Sequence, residues 1–225
     1  MKQLTLDIGL TPGATFQSFV AGPNEAVRQH LSQWLQELSG LSAVPIYLWG
    51  GDGSGKTHLL RASQAALRDR GIGVGWLDST LLDPPDFNED WGAILLDDVH
   101  VYSREQQHAA FNWFINAQTH QRGVLAAGRL PPPDLELRDD LRTRLGWGHV
   151  FQVQVLDESE RRSVLRQAAD ARGVFLGDEV MDFMLTRFSR DLGSLMELLE
   201  LIDRYALQTK RAITIPLIKA MMDEG

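Results

Sequence analysis

Gly50-Gly51-Asp52-Gly53-Ser54-Gly55-Lys56-Thr57 is the stretch on which the reading of this chain turns. It fits G-x-x-x-x-G-K-[ST], and its flanks suit it. Val44-Pro45-Ile46-Tyr47-Leu48-Trp49 before it is a short apolar run that reads as a buried strand. Residues 56–70 after it read as a helix stopped by Gly71. In a strand–loop–helix setting, glycines let backbone N–H groups turn inward around phosphate oxygens, and the helix N-terminus adds positive potential. Gly53, Ser54, Gly55, Lys56 and Thr57 are therefore candidate nucleotide-binding residues. Lys56 reaches the outer phosphates, and the Thr57 hydroxyl is a candidate ligand for Mg²⁺.

Downstream, Ile94-Leu95-Leu96-Asp97-Asp98 is an apolar strand ending in an acidic pair. Its position suits Asp97 to hold Mg²⁺ and Asp98 to face an attacking water. The two motifs together point to ADP or ATP with Mg²⁺, without requiring hydrolysis. Further short strands at residues 74–77, 93–96 and 124–127 alternate with helices, one of them at 105–118, which implies a parallel sheet covered on both faces. Ahead of the loop, Ala26, Val27, Leu31, Trp34, Leu35 and Leu38 have helical spacing, with Asn24 as N-cap. Residues 83–90 form an acidic, proline-bearing surface connection.

The pattern changes near residue 156. Asp157-Glu158-Ser159-Glu160 has the form of a capping box opening a helix that Gly173 closes. Asp178 caps a second helix, a third spans about 191–208 with Leu198, Leu199, Leu201 and Ile202 as its apolar core, and 213–216 is extended before a last short helix. The organisation expected is a flexible tail over 1–12, a nucleotide-binding core over 13–155 and an all-helical appendage over 156–225.

Composition narrows the function. The chain has 225 residues, 44% hydrophobic and 23% charged, which excludes disorder and fibrous repeats. At this length roughly 70% of the unfolded surface is buried on folding, so no disulfide or metal staple is needed. No apolar run approaches the ~20 residues of a membrane span, and no leader pattern opens the chain. The absence of cysteine excludes disulfides, zinc ribbons and thiol catalysis, and fits a reducing cytoplasm. The six histidines are scattered without a metal-binding spacing. A net charge of −8, with only Lys2, Lys56, Lys210 and Lys219 as lysines, argues against direct, sequence-specific DNA binding.

Several segments carry a family resemblance. Thr15-Phe16-Gln17-Ser18-Phe19-Val20-Ala21-Gly22-Pro23-Asn24 resembles the entry segment of the AAA+ domain of the bacterial replication initiator DnaA. Asp97-Asp98 resembles its acidic Walker B pair, and Leu141-Arg142-Thr143-Arg144-Leu145-Gly146-Trp147-Gly148 is similar to its L-x-S-R-[FL]-x-W-G box. Arg211-Ala212-Ile213-Thr214-Ile215 resembles the end of its lid. The resemblance spans about 15–225 and implies an α/β fold, a P-loop AAA+ parallel-sheet core with a small all-helical lid. It also implies a bacterial, cytoplasmic protein acting at the replisome. Phe16 and Phe19 either border the adenine or pack the sheet edge. Arg144 matches the family's arginine finger, which acts in trans on a neighbour's γ-phosphate; the alternative is a surface arginine paired with Asp139 or Asp140. Trp147 is expected to pack.

Two departures sharpen the resemblance. The sequence given stops at Gly225, where DnaA continues into a helix-turn-helix domain. And Gln3-Leu4-Thr5-Leu6-Asp7-Ile8 resembles the peptide by which proteins dock on the DNA polymerase sliding clamp. Both are features of DnaA-related regulatory inactivators. The resemblance therefore implies docking on the clamp (the β subunit of the polymerase) through Gln3, Leu4, Leu6 and Ile8, and stimulation of ATP hydrolysis on DnaA. A homo-oligomer is a further candidate assembly.

Two positions of the hydrolysis apparatus differ from DnaA. The strand at 124–127 runs into Gly128-Arg129-Leu130-Pro131-Pro132 rather than a polar Ser-Asp, and the lid arginine falls on Gly193, with Arg190 three residues earlier as a candidate substitute. Losing both weakens transition-state stabilisation. The leading expectation is a nucleotide-occupied regulator of replication initiation, with an autonomous AAA+ ATPase such as a helicase loader, or a non-catalytic replisome adaptor, as alternatives.

Overall fold

Residues with β-branched or bulky apolar side chains in runs of four to six cannot cover themselves and become strands between covering helices. The computed structural model describes residues 14–38, 44–188 and 192–224. In chain order the first unit contains α1 (Glu25–Glu37), β1 (Ile46–Trp49), α2 (Lys56–Arg68), β2 (Gly73–Leu77), β3 (Trp91–Leu96), α3 (Arg104–Thr119), β4 (Gly123–Gly128), α4 (Asp139–Leu145) and β5 (His149–Gln152). The strands form one sheet in the order β2-β3-β4-β1-β5, and every neighbouring pair is parallel.

Alternation along the strands feeds two apolar layers. Ile46, Leu48, Leu95 and Leu125 face a layer with Leu31, Trp34, Leu59 and Leu60 from α1 and α2. Tyr47, Ile94, Leu96 and Val124 face the opposite layer, with Trp113 and Phe114 of α3 and Leu141 and Leu145 of α4. Burial on both faces explains why β3 and β4 read as continuous apolar runs.

Several local expectations are corrected. The reading assigned neither β5 nor α4. β5 is an edge strand whose His149, Val150 and Gln152 are exposed, so it lacks an apolar run, and only its pairing with β1 defines it. α4 has seven residues, too few for a period to show. Asn24 occupies the N-cap of α1 without capping it. Its buried side-chain amide instead donates to the Gln154 carbonyl at 2.9 Å, while the Gln154 N–H donates back to its Oδ1 at 2.7 Å. The chain leading into α1 is thereby tied to the chain leaving β5.

A second unit begins at Leu156. It holds α5 (Glu158–Ala171), α6 (Asp178–Arg187), α7 (Leu192–Thr209) and α8 (Ile215–Glu224). Leu165, Met181, Met184, Leu195, Leu199, Ile202 and Ile218 form its core. The capping box at Asp157 and Glu160 forms with both bonds at 2.7 Å. Asp178 does not cap α6; Gly177 holds that position and Asp178 is the first helical residue. Likewise α8 takes in Ile215 and Pro216, since proline fits a first helical turn where its missing N–H is no loss. Among the described residues no helix is long and apolar enough to cross a membrane. Gln3, Leu4, Leu6 and Ile8, and Arg190 in the lid, lie outside the described residues.

Asn24→Ala removes both bonds to Gln154. Because Gln154 itself is exposed, water recovers part of the loss, and a destabilisation of about 1–2 kcal/mol is expected. Urea unfolding should show a lower midpoint at unchanged m-value, with Asn24→Asp, which keeps only the acceptor, falling between.

Candidate nucleotide site

The parallel sheet brings the carboxyl ends of β1, β4 and β3 side by side, where ligands of open α/β sheets bind. The phosphate loop leaves β1 and turns through Gly53 (φ 74°) and Gly55 (φ 95°) before α2 begins at Lys56. At Gly55 a side chain is barred twice over. The backbone is left-handed, and a Cβ there would come 2.8 Å from the Phe19 ring. Phe19 is buried in the apolar layer beneath the loop, with Phe16 half-buried against the same layer.

The entry segment is fixed to the loop by His58, which follows Thr57. Its Nε2 lies 2.9 Å from the Thr15 carbonyl and 3.3 Å from the Ser18 hydroxyl, and its ring is 5.7 Å from that of Phe19. The sequence reading passed over His58. Its position one residue past the motif was the available signal.

Lys56 is buried, and its ammonium donates to the carbonyls of Gly50 at 2.8 Å and Gly51 at 2.9 Å and to Ser54 Oγ at 3.3 Å. Burial lowers its pKa, an effect opposed by Asp98, Asp52 and Asp97. Asp97, at the end of β3, is buried. Burial first and the Asp98 charge second push its carboxyl up to about 6, while the Thr57 hydroxyl and the Asp98 N–H, at 3.1 Å, pull the other way by bonding to it. Asp98 follows with φ 51°, an uncommon left-handed geometry for a residue with a side chain. Thr57 and Asp97 thus meet at one point. A hydroxyl and a buried carboxylate short of positive charge suit an oxygen-seeking Mg²⁺ that completes its shell with water and phosphate.

The end of β4 explains the missing polar residue. Tyr47 on β1 donates its hydroxyl to the Leu130 carbonyl at 2.7 Å, and a Cβ on Gly128 would lie 2.3 Å from that oxygen. No side chain fits at Gly128. The next residue, Arg129, places its guanidinium 3.7 Å from the carboxylate of Asp52 in the loop. In the lid, Gly193 lies in the first turn of α7.

Arg144 lies in the last turn of α4. Asp139 is bonded to Arg142 and Asp140 to Arg138, both at 2.6 Å, so neither acidic residue holds Arg144. Its Nη1 donates to the Gln118 side-chain oxygen at 3.0 Å, and its guanidinium lies 4.7 Å from the Trp147 ring and 5.3 Å from that of Phe111. Trp147 is 59% exposed, so it supports the arginine rather than filling a core.

Comparison with known proteins agrees with this architecture. Residues 157–222 match the family model of the Hda lid domain, and residues 10–73 that of the bacterial DnaA ATPase domain. Domain III of DnaA from Thermotoga maritima superposes with a TM-score of 0.70 at 21% identity, covering 96% of this chain and 98% of that one. AMPPCP-bound DnaA from Aquifex aeolicus gives 0.70 at 23%, covering 89% and 68%. The RuvB Holliday junction branch migration motor of Thermotoga maritima gives 0.63 at 16%, covering 93% and 71%. The fold is that of a AAA+ core with an all-helical lid.

Asp97 sets a pH dependence in the metal-free protein. Its folded pKa, about 6, lies above the ordinary carboxylate value near 3.9, so the native state holds the extra proton between them. Its contribution therefore favours folding more as pH falls from 7 to 4, and at pH 7.5 the ionised group costs about 3 kcal/mol. Asp97→Asn should raise the melting temperature at pH 7.5, and that gain should vanish toward pH 4 in a scanning-fluorimetry series.

Proposed function

We propose that this chain, a DnaA-type AAA+ core with an Hda-type lid, regulates bacterial replication initiation by stimulating ATP hydrolysis on DnaA. The observation that carries the reading is Arg144, whose guanidinium has no carboxylate partner among the described residues and rests on an exposed tryptophan. A planar cation presented in this way suits the developing charge of a phosphoryl transfer on a neighbouring molecule, where an arginine finger contributes ~10³ to 10⁵ in rate. Arg144 is then catalytic in trans.

The chain's own nucleotide is held by Gly53, Ser54, Gly55, Lys56 and Thr57, with Phe16 toward the adenine while Phe19 packs the layer beneath the loop. Thr57 and Asp97 hold Mg²⁺, which supplies positive charge at the outer phosphates. Asp98 faces the water position, but without a polar group at Gly128 the site favours retention of ADP over turnover. Gln3, Leu4, Leu6 and Ile8 dock on the sliding clamp as an extended segment, its glutamine and alternating apolar side chains entering a pocket. The intact Asp97-Asp98 pair keeps one other reading in view, an autonomous ATPase.

The two readings separate in phosphate release from ATP-bound DnaA with clamp-loaded DNA. Arg144→Ala should abolish stimulation while folding and ADP binding persist, Arg144→Lys should restore little because a point charge lacks the planar fork, and Asp98→Asn should stay near the parent. Full activity for Arg144→Ala with loss for Asp98→Asn makes this chain the ATPase instead. For the tail, alanine at Gln3, Leu4 and Leu6 together should remove capture of the clamp at unchanged melting temperature and ADP affinity. Equal capture by the triple variant rejects the docking peptide.

A further inference from the structure

We infer that Arg129 is a phosphate-binding side chain of the nucleotide site, parked on Asp52 until the terminal phosphate of a nucleotide displaces that carboxylate. The inference rests on the reading of the loop as a nucleotide site and adds a residue that the motif does not contain.

β4 lies between β1 and β3, so the residue that follows it stands between the phosphate loop and the acidic pair. The Gly50 N–H donates to the Gly128 carbonyl at 3.3 Å, which ties the start of the loop to the residue just before Arg129. The Arg129 guanidinium reaches Asp52, the loop's own acidic residue, and its charge also acts on the Lys56 ammonium. Arg129, Asp52 and Lys56 therefore share one electrostatic neighbourhood.

The existing pair is easily exchanged. At 3.7 Å it is longer than a hydrogen bond, and both side chains are mostly exposed, at 58% and 77%. Such pairs contribute little to stability. A phosphate offers more charge and a better match to the guanidinium fork than one carboxylate does. Asp52 in turn would repel an incoming phosphate if it stood alone. Pairing with Arg129 offsets part of that charge.

The substitution also has a chemical sense. A guanidinium carries only donors and no acceptor. It can neutralise a phosphate but cannot accept a hydrogen bond from an attacking water, as a carboxylate at the end of β4 could. Tyr47 denies Gly128 any such group. The strand end therefore grips phosphate without preparing hydrolysis, which deepens the account of a chain that retains ADP.

The experiment is calorimetric titration of Mg-ADP into the full chain carrying Arg129→Ala, Asp52→Asn or Lys56→Ala, with melting temperatures as a folding control. Arg129→Ala should weaken ADP about tenfold or more, the loss of a charged hydrogen bond. Asp52→Asn should strengthen it several-fold, because a competing carboxylate is gone. Opposite signs from two partners of one surface pair are not what a merely structural bridge gives. Unchanged affinity in Arg129→Ala, with binding lost in Lys56→Ala, overturns the inference and leaves the loop reading standing. Weaker binding in Asp52→Asn overturns the parking role. Unchanged affinity in Lys56→Ala removes the loop reading, and this inference falls with it.

Discussion

A buried ammonium must be given oxygen atoms or lose its charge, and Lys56 is given the carbonyls of Gly50 and Gly51. The loop is thus wound around its own lysine. That winding demands a left-handed residue at Gly55, and the bare glycine lets Phe19 press against the backbone. Phe19 belongs to the apolar layer shared by α1, α2 and the sheet. Through it and through His58, the segment before α1 is drawn onto the loop. The anion cradle is thus joined to the core beneath it at Gly55 and Phe19, and to the segment before α1 at His58.

Acidic residues crowd the same region. Asp52, Asp97 and Asp98 all act on Lys56, and the buried carboxyl of Asp97 is uncomfortable when ionised. A divalent cation beside Asp97 would relieve that carboxylate, and the phosphates of a nucleotide would complete the cation's oxygen shell. The two arginines of interest answer different needs. Arg129 works within the chain's own cluster of charge, whereas Arg144 stands on aromatic rings away from carboxylates.

The phosphate loop, the acidic pair, the parallel alternation and the helical lid were legible in the sequence because each is a local pattern: a motif, a period or a capping box. What was not legible is long-range. Asn24 bonds to the backbone 130 residues away, and nothing near either partner signals it. β5 is defined by hydrogen bonding to β1 and not by composition. Arg144 was found by resemblance, but its seat on Gln118, Phe111 and Trp147 required the end of α4 to meet α3, which carries the first two. The absence of a polar residue at Gly128 was visible. Its cause, a tyrosine on the neighbouring strand, was not.

That tyrosine also couples two positions on neighbouring strands. Placing an acidic side chain at Gly128 puts a carbon 2.3 Å from the Tyr47 hydroxyl. Trimming Tyr47 first to phenylalanine strips the Leu130 carbonyl of its donor and still leaves ring carbon 3.3 Å from the space required. A side chain at Gly128 therefore calls for a change at Tyr47 and a small shift of its surroundings together. The two positions thus form an interlock: the space a side chain at Gly128 would need is the space the Tyr47 hydroxyl uses to hold the Leu130 carbonyl, so neither residue is set independently of the other.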